Sequence, residues 1–475
     1  MKKDRAIHNY FYNVLLKGLT AVFSIVVSSH LAKTLGQDVT GISDYTGSIV
    51  SMIAIFATMG ISLYGEKRMS ELRDNREELS RNFWNIIALR LLGVLVGLAI
   101  TFIALFFVKY DYKTVLLIQL ITLPTMAIDI TFLYVGEENF KTIAIRNTII
   151  KIANVILIKW LIQAPSDLIL FVVINVTTAF LGNLSLWLGH RKYVDFVIPT
   201  WEGIKENVVP TLKMFAPQAA ISLYTILDKT MIGSLYNMAN VTFYNIANSL
   251  AQVLISIATS ISEVLWPRLV NVRTKGEHDE AERLISLALK LNFMVAIPMC
   301  FGLAAVGPTF TKWVYEVNNP AYYEAGIMMI FMAPLIIIIS INRILAFQIV
   351  VPAGHLDDYS KSIYLACVVN TISNFILIPR FGGYGAIVAS AIGESSTMIY
   401  LYFKARKIVK FEGIFQVFVK YLAVSIVMYM AVRYVGNLLP ASLLTNGLQV
   451  LTGVAVYAII LLVMKDENVY RILKR

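Results

Sequence analysis

Charge is scarce in this 475-residue chain: Asp, Glu, Lys and Arg together make up 15% of it. No polar segment is long enough to fold as a soluble domain of its own. Cysteine is nearly absent. The two present, Cys300 and Cys367, both fall in apolar segments, which excludes a disulfide framework and a thiolate metal site. The five histidines are scattered. There is no Walker A loop, so no ATPase is built in, and no nucleophile elbow or glycine-rich dinucleotide fingerprint. The expectation is therefore of no catalytic residue, no metal and no cofactor.

Apolar residues fill the space that charge leaves. They make up 57% of the chain, and the mean hydropathy is +0.69. A bilayer core of roughly 30 Å needs about 20 apolar residues per helix. Segments of that length occupy 8–34, 41–65, 83–108, 113–136, 141–163, 167–190, 209–236, 240–266, 284–312, 321–350, 360–379, 384–405, 414–436 and 444–464. The basic start MKKDRAIHNY precedes an apolar stretch that runs on through Ala32 with no clean small-residue cleavage site. That stretch is read as a retained first span.

The net charge of +11 sits largely in alternate loops. One set holds Lys2, Lys3 and Arg5, then Lys67, Arg68, Arg73, Arg76 and Arg81, then Arg191 and Lys192. It continues with Arg268, Arg273, Lys275 and Arg283, then Lys404, Arg406, Lys407 and Lys410, and ends at Arg471, Lys474 and Arg475. The other set has few cations: Lys109 and Lys113 beside Asp111, and Arg380. The positive-inside rule places the basic set, and with it both termini, in the cytoplasm. The excess charge thus sets topology and does not point to nucleic acid.

The chain also repeats itself. ISDYTGSIVSMIAIFATMGIS at 42–62 resembles VTFYNIANSLAQVLISIATSIS at 241–262, with Tyr45 on Tyr244 and Ala57-Thr58 on Ala258-Thr259. The copies lie an even number of spans apart, which makes them parallel repeats about an axis along the membrane normal. The expected fold is an all-α polytopic membrane protein of about fourteen transmembrane helices. Two six-helix lobes, 1–200 with helices 1–6 and 201–408 with helices 7–12, are related by a pseudo-two-fold. Residues 409–475 add helices 13 and 14 and a cytoplasmic tail.

Polar residues at helical spacing mark the first two helices of each lobe. They are Asn13, Lys17, Thr20, Ser24 and Ser28; Asp44, Ser48, Ser51, Thr58 and Ser62; Gln218, Ser222, Thr225 and Asp228; and Asn245, Asn248, Gln252, Ser256, Thr259 and Glu263. Such stripes either line a polar cavity or hydrogen-bond one helix to another. Lys17 lies near mid-membrane, and Asn147, Lys151 and Asn154 share a face of the fifth helix, with Arg146 close by. A midplane cation costs roughly 3 kcal/mol; water, an anionic ligand or a structural ion pair must receive it. His30, Lys33, Asp228 and Lys229 lie toward the outer side. Arg90, Lys213, Lys290 and Arg343 lie toward the cytoplasmic side, where long side chains snorkel. Asp129, Asp228 and Glu394 are the acids placed to carry a coupling ion or to pair with a lysine. Pro124, Pro217, Pro298 and Pro334 interrupt spans and kink them.

The stretch LDKTMIGSLYNMANVTFYNIANSLAQVLISIATSISEVLWPRLV resembles polysaccharide repeat-unit flippases of the multidrug/oligosaccharidyl-lipid/polysaccharide exporter superfamily. The likeness rests on Asp228-Lys229, Ile232-Gly233, Tyr244 with Ala247, and Trp266-Pro267. The family's usual glycine two residues before that tyrosine is Thr242 here. NYFYNVLLKGLTAVFSIVVSSHLAKTLG with Gly41 and Tyr45 is similar to the family opening, and RFGGYGAIVASAIGE to its eleventh-to-twelfth helix turn. The resemblance implies a bacterial cytoplasmic-membrane flippase with two lobes in a V around a cavity. Its implied substrate is undecaprenyl-diphosphate-linked oligosaccharide, moved to the outer leaflet by alternating access for capsule, exopolysaccharide or other cell-surface polysaccharide. Membrane lipids and the polysaccharide polymerase and export machinery are the implied partners.

Set beside the deep cations, this assigns Lys17, Lys151, Arg146, His30, Lys33, Lys229, Asn13, Asn147, Asn154, Asn248 and Gln252 as candidate substrate-binding residues. Asp129, Asp228 and Glu394 are the candidate ion-coupling residues. The extra helix pair at 414–464 lacks polar stripes and is expected either to hold the polyprenyl tail or to be a structural appendage. A peptidoglycan-precursor flippase and a multidrug exporter of the same superfamily are the alternatives; a drug-cation exporter would want acidic cavity groups. A membrane polymerase or lipid-linked glycosyltransferase would want a large outer loop, and a passive channel a re-entrant filter.

Overall fold

The computed structural model describes residues 22–58, 60–107, 109–316, 319–466 and 468, which form helices and turns with no strand among them. Asn13 and Lys17 lie outside the described residues, as do the side chains of Lys213, Pro217, Gln218, Glu263, Trp266 and Pro267. Among the described residues, ten helical segments are long and apolar enough to cross a membrane. The protein is an all-α, multi-pass membrane protein. It divides into two compact units, Met1–Thr242 and Phe243–Arg475.

In the first unit, α1 (residues 22–34) leads into α2 (Gly36–Thr58), α3 (Ile61–Leu72) and α4 (Arg76–Phe107). The expected fourth span is not one helix. It is broken into α5 (Tyr110–Gln119), α6 (Thr122–Ala127) and α7 (Thr131–Gly136). Then come α8 (Phe140–Leu161), α9 (Leu168–Leu186) and α10 (Trp201–Leu235). Helix starts are capped by side chains that accept orphan amides: Asn139 from Thr142 N and Thr200 from Gly203 N, both at 3.2 Å. One core gathers Met69, Phe83, Ile86, Ile130, Phe132 and Leu133, and a second gathers Leu35, Val115, Ile158 and Ile162. Outside the membrane, Arg76 donates to both carboxylate oxygens of Asp195 at 2.7 and 2.8 Å. This holds the Asp195 carboxyl below the usual carboxylate range.

Small residues bring α4 against α2. A Cβ on Gly93 would lie 2.1 Å from the Ala57 carbonyl oxygen, and one on Gly97 would lie 2.7 Å from the Ala57 Cβ. This is a small-xxx-small contact that lets two membrane helices approach at backbone distance. Gly93→Ala should lower stability by about 1–3 kcal/mol through overpacking. Gly447→Ala, where nothing lies within 4 Å, should not. Thermal midpoints in detergent decide it; a Gly93→Ala protein that melts with the wild type would refute the contact. Part of the α2 stripe is spent the same way. Ser48 Oγ lies 2.7 Å from Thr230 Oγ1 and Tyr45 OH lies 3.1 Å from Ser234 Oγ, both on α10. The seventh expected span therefore packs within the first unit, whatever its place in the sequence repeat.

In the second unit, α11 (Met238–Thr274, shared with the end of the first unit) precedes α12 (His278–Val314) and α13 (Tyr323–Ile344). Pro298 and Pro334 sit inside continuous helices there. A π-helical turn, Leu345–Val350, follows α13. Next, α14 (Leu356–Ala405) joins the expected eleventh and twelfth spans across Gly382, whose φ of 55° only glycine adopts readily. The pair α15 (Ile414–Leu438) and α16 (Leu443–Val463) completes the unit, packed on α12. Cores form around Leu269, Ile285, Ile344, Ile349 and Leu401, and around Phe293, Ile297, Tyr421 and Val424. Lys420 is ion-paired to the buried Asp466 beyond α16, and Tyr421 donates to that carboxylate at 3.2 Å. Lys420, a cation within a largely apolar span, is thus one end of an internal ion pair.

Candidate functional site

Among the described residues, a polar cluster surrounds the break in the fourth span. Three backbone carbonyls there lose their helical partners, and lipid offers none. Side chains supply them. Asn183 Nδ2 donates to Thr125 O at 2.9 Å, Trp187 Nε1 to Ile128 O at 2.7 Å, and Arg90 Nη1 to Asp129 O. Arg90 Nη2 also donates to Ser62 Oγ at 2.7 Å, and its guanidinium lies 5.3 Å over the Phe132 ring. Arg90 does not snorkel, as its position near the span end led us to expect; it is 1% exposed. The carbonyls of the break are nearer than water and hold it inside. Arg343 does reach out, exposed and 5.1 Å over Phe347.

Asp129 and Arg146 meet at the same break through Thr131. The Asp129 carboxylate accepts from Thr131 N at 2.9 Å and Thr131 Oγ1 at 2.5 Å. Arg146 Nη2 donates to Thr131 Oγ1 at 3.1 Å and Nη1 to Asn183 Oδ1 at 3.2 Å. Arg146 is therefore clamped by neutral oxygens. It borders a cavity of about 380 Å³ with Thr142, Ile145, Ile149, Ile150, Ser185 and Leu186. Asn183, Trp187 and Arg90 were missed as a set. The readable signal was an asparagine and an arginine within apolar runs.

The other candidates are spread out. On α8, Asn147 is exposed and Lys151 half-buried. Asn154 Nδ2 donates to Asn175 Oδ1 and Thr178 Oγ1, both at 3.0 Å, so it ties α8 to α9. Lys151 makes no hydrogen bond or ion pair with a described residue. His30 Nε2 lies 2.8 Å from Ile162 O, joining α1 to the end of α8, while Lys33 is exposed. Asp228 is 1% exposed and Lys229 half-buried, and both are engaged. In the second unit, Gln252 is exposed and donates to the half-buried Asn248 at 3.4 Å, and Thr259 is buried. Glu394 accepts from Asn342 Nδ2 at both a carboxylate oxygen, 2.8 Å, and its own carbonyl, 3.0 Å. The structure joins Arg146 with Asp129, and Asn248 with Gln252.

A chain of membrane helices with cations and amides within the spans has the build of a membrane transporter, and solved structures share its fold over most or nearly all of its length. The structure described as lipid II flippase MurJ in an inward closed conformation has a TM-score of 0.76 at 18% identity, covering 99% of this chain and 100% of that one. An inward-facing multidrug resistance MATE family transporter of the MOP superfamily has a TM-score of 0.63 at 12% identity, covering 81% and 93%. The chain belongs to the polysaccharide biosynthesis protein family, which it matches over residues 6–273; the lipid II flippase MurJ family matches residues 144–452. Among its relatives are an Escherichia coli K12 protein named "Putative O-antigen transporter", 20% identical over 80% of this chain and 92% of its own length. Another is the Staphylococcus aureus capsular polysaccharide biosynthesis protein CapF, 23% identical over 62% and 75%.

Proposed function

We infer that this protein is a lipid-linked polysaccharide flippase that carries undecaprenyl-diphosphate-linked oligosaccharide from the inner to the outer leaflet of the bacterial cytoplasmic membrane. Family membership supports the class. The observation that carries the mechanism is Lys151, a half-buried cation on a membrane helix with no ion pair to a described residue. A diphosphate entering a low-dielectric site sheds water, and fixed cations replace it. Within the first unit, Lys17, His30, Lys33, Arg146 and Lys229 are proposed to extend the cationic path, and Asn13, Asn147 and Asn154 to offer amides to sugar hydroxyls; Asn248 and Gln252 are the amides proposed for that role in the second unit. No bond of the substrate breaks; the work is alternating access.

Of the three acids, Asp129 is committed to bracing Thr131, and Asp228 lies beside Lys229. Glu394, half-buried and accepting from the Asn342 amide, is the acid we favour for ion coupling. The polyprenyl tail stays in lipid along the outward apolar side of α15 and α16, where Met430, Tyr434, Leu451 and Val454 are exposed. On this reading both termini lie in the cytoplasm, on the side where the substrate is loaded, and the polymerase and export machinery would meet the product on the outer side.

Proteoliposomes loaded with headgroup-labelled lipid-linked oligosaccharide test this reading. The label should reach an external quencher faster than in protein-free vesicles, and an imposed ion gradient should change the rate in wild type but not in Glu394→Gln. Transport of the peptidoglycan precursor or of a cationic drug, with none of the oligosaccharide, would assign the protein to its alternatives.

A further inference from the structure

The second unit holds an apolar cavity that the transport reading does not use. It is about 490 Å³ and is walled by Leu289 and Phe293 of α12, Ile341 of α13, Met398, Ile399, Tyr402 and Phe403 at the end of α14, Phe411 of the following loop, and Ile414, Phe415 and Phe418 at the start of α15. Its lining is aromatic and open to the outside: Phe403 is 48% exposed and Phe415 76%. The loop 404–413 runs from one wall to the other and is strongly basic. Lys404 is taken up by Asp358 at 2.9 Å. Arg406, Lys407 and Lys410 are exposed, against one exposed acid, Glu412. The Arg406 guanidinium lies 4.8 Å over the ring of Phe403, a cavity wall. A cation is thus parked at the mouth of an apolar pocket.

We propose that this cavity and its basic loop form a binding site for an anionic phospholipid, with an acyl chain among the aromatic side chains and the phosphodiester on Arg406, Lys407 and Lys410. Basic groups beside a helix end at the membrane surface attract anionic headgroups over zwitterionic ones. The site's height selects its occupant. Each helical wall spans about one turn, roughly 5–7 Å, at the level of the loop. That suits the headgroup-proximal part of one acyl chain, with the phosphodiester on the loop, and is too short for a long polyprenyl chain, which needs a groove along whole helices. A lipid seated there would bridge α14 to α15 and so brace the C-terminal pair.

Native mass spectrometry on the full-length protein from mixed phosphatidylglycerol and phosphatidylcholine micelles tests the proposal. The wild type should retain phosphatidylglycerol about tenfold over phosphatidylcholine. The triple substitution Arg406→Gln, Lys407→Gln, Lys410→Gln should erase that preference. Ile399→Trp, which fills the cavity from a position already 54% exposed, should reduce retention of both lipids. Equal retention by the wild type, or an unchanged preference in the triple variant, would overturn the proposal. So would displacement of phosphatidylglycerol by equimolar undecaprenyl phosphate, which would hand the site to the substrate. None of these readouts depends on transport.

Discussion

Arg90→Met should destabilise the first unit by about 3–5 kcal/mol, the loss typical of removing one partner from a buried charged network. Arg90 is 1% exposed and serves three elements at once: the Asp129 carbonyl at the break, Ser62 at the start of α3, and the Phe132 ring. Methionine fills the volume but leaves a carbonyl without a donor in a place water does not reach. It also strands the Asp129 carboxylate with one cation fewer. Lysine does not rescue, because a point charge cannot fork to two acceptors and stack on a ring. Asp129→Asn on top of Arg90→Met should recover part of the loss, since it removes the stranded charge. Thermal midpoints and inserted levels of the three variants measure this. A fully stable Arg90→Met protein would mean that the break is not held from α4.

That break shows where sequence reading ends. Hydropathy located the spans because lipid imposes a length on apolar runs. It placed α4 and α12 to α16 with ends shifted by capping turns. It did not see that 113–136 is three pieces, because the groups that satisfy the exposed carbonyls come from Arg90, Asn183 and Trp187, far away in the chain. Pro124 was the local hint. The same limit applies to the polar stripes. Spacing showed that Ser48 and Asn154 face something polar, but only packing shows that their partners are Thr230 on α10 and Asn175 on α9. Periodicity gives a face, and tertiary contact decides whether that face binds a helix or a ligand. Lys151, half-buried on α8, is a candidate at which sequence and packing leave the choice to a transport measurement.

Lys151→Ala should slow flipping by roughly 30-fold to 4000-fold, as expected for truncating one partner of a desolvated charge pair at about 2–5 kcal/mol. Lys17→Ala, in the first span expected from the sequence, should do the same. The argument is one of balance. Lys151 lies near the middle of α8, where an ammonium without a counter-ion costs roughly 3 kcal/mol on insertion scales. Removing it should therefore leave insertion and thermal stability unchanged or slightly improved, while the substrate loses its counter-charge. Stability and transport move in opposite directions, which a purely structural lysine would not allow. Arginine keeps the charge but demands a planar, forked geometry that a moving phosphate does not hold, so Lys151→Arg should retain partial activity. Glutamine, polar and neutral, should behave like alanine. Head-group accessibility assays with matched protein levels decide the point. If the alanine variants at both positions transported normally, the cationic path would be wrong, even with the family assignment intact.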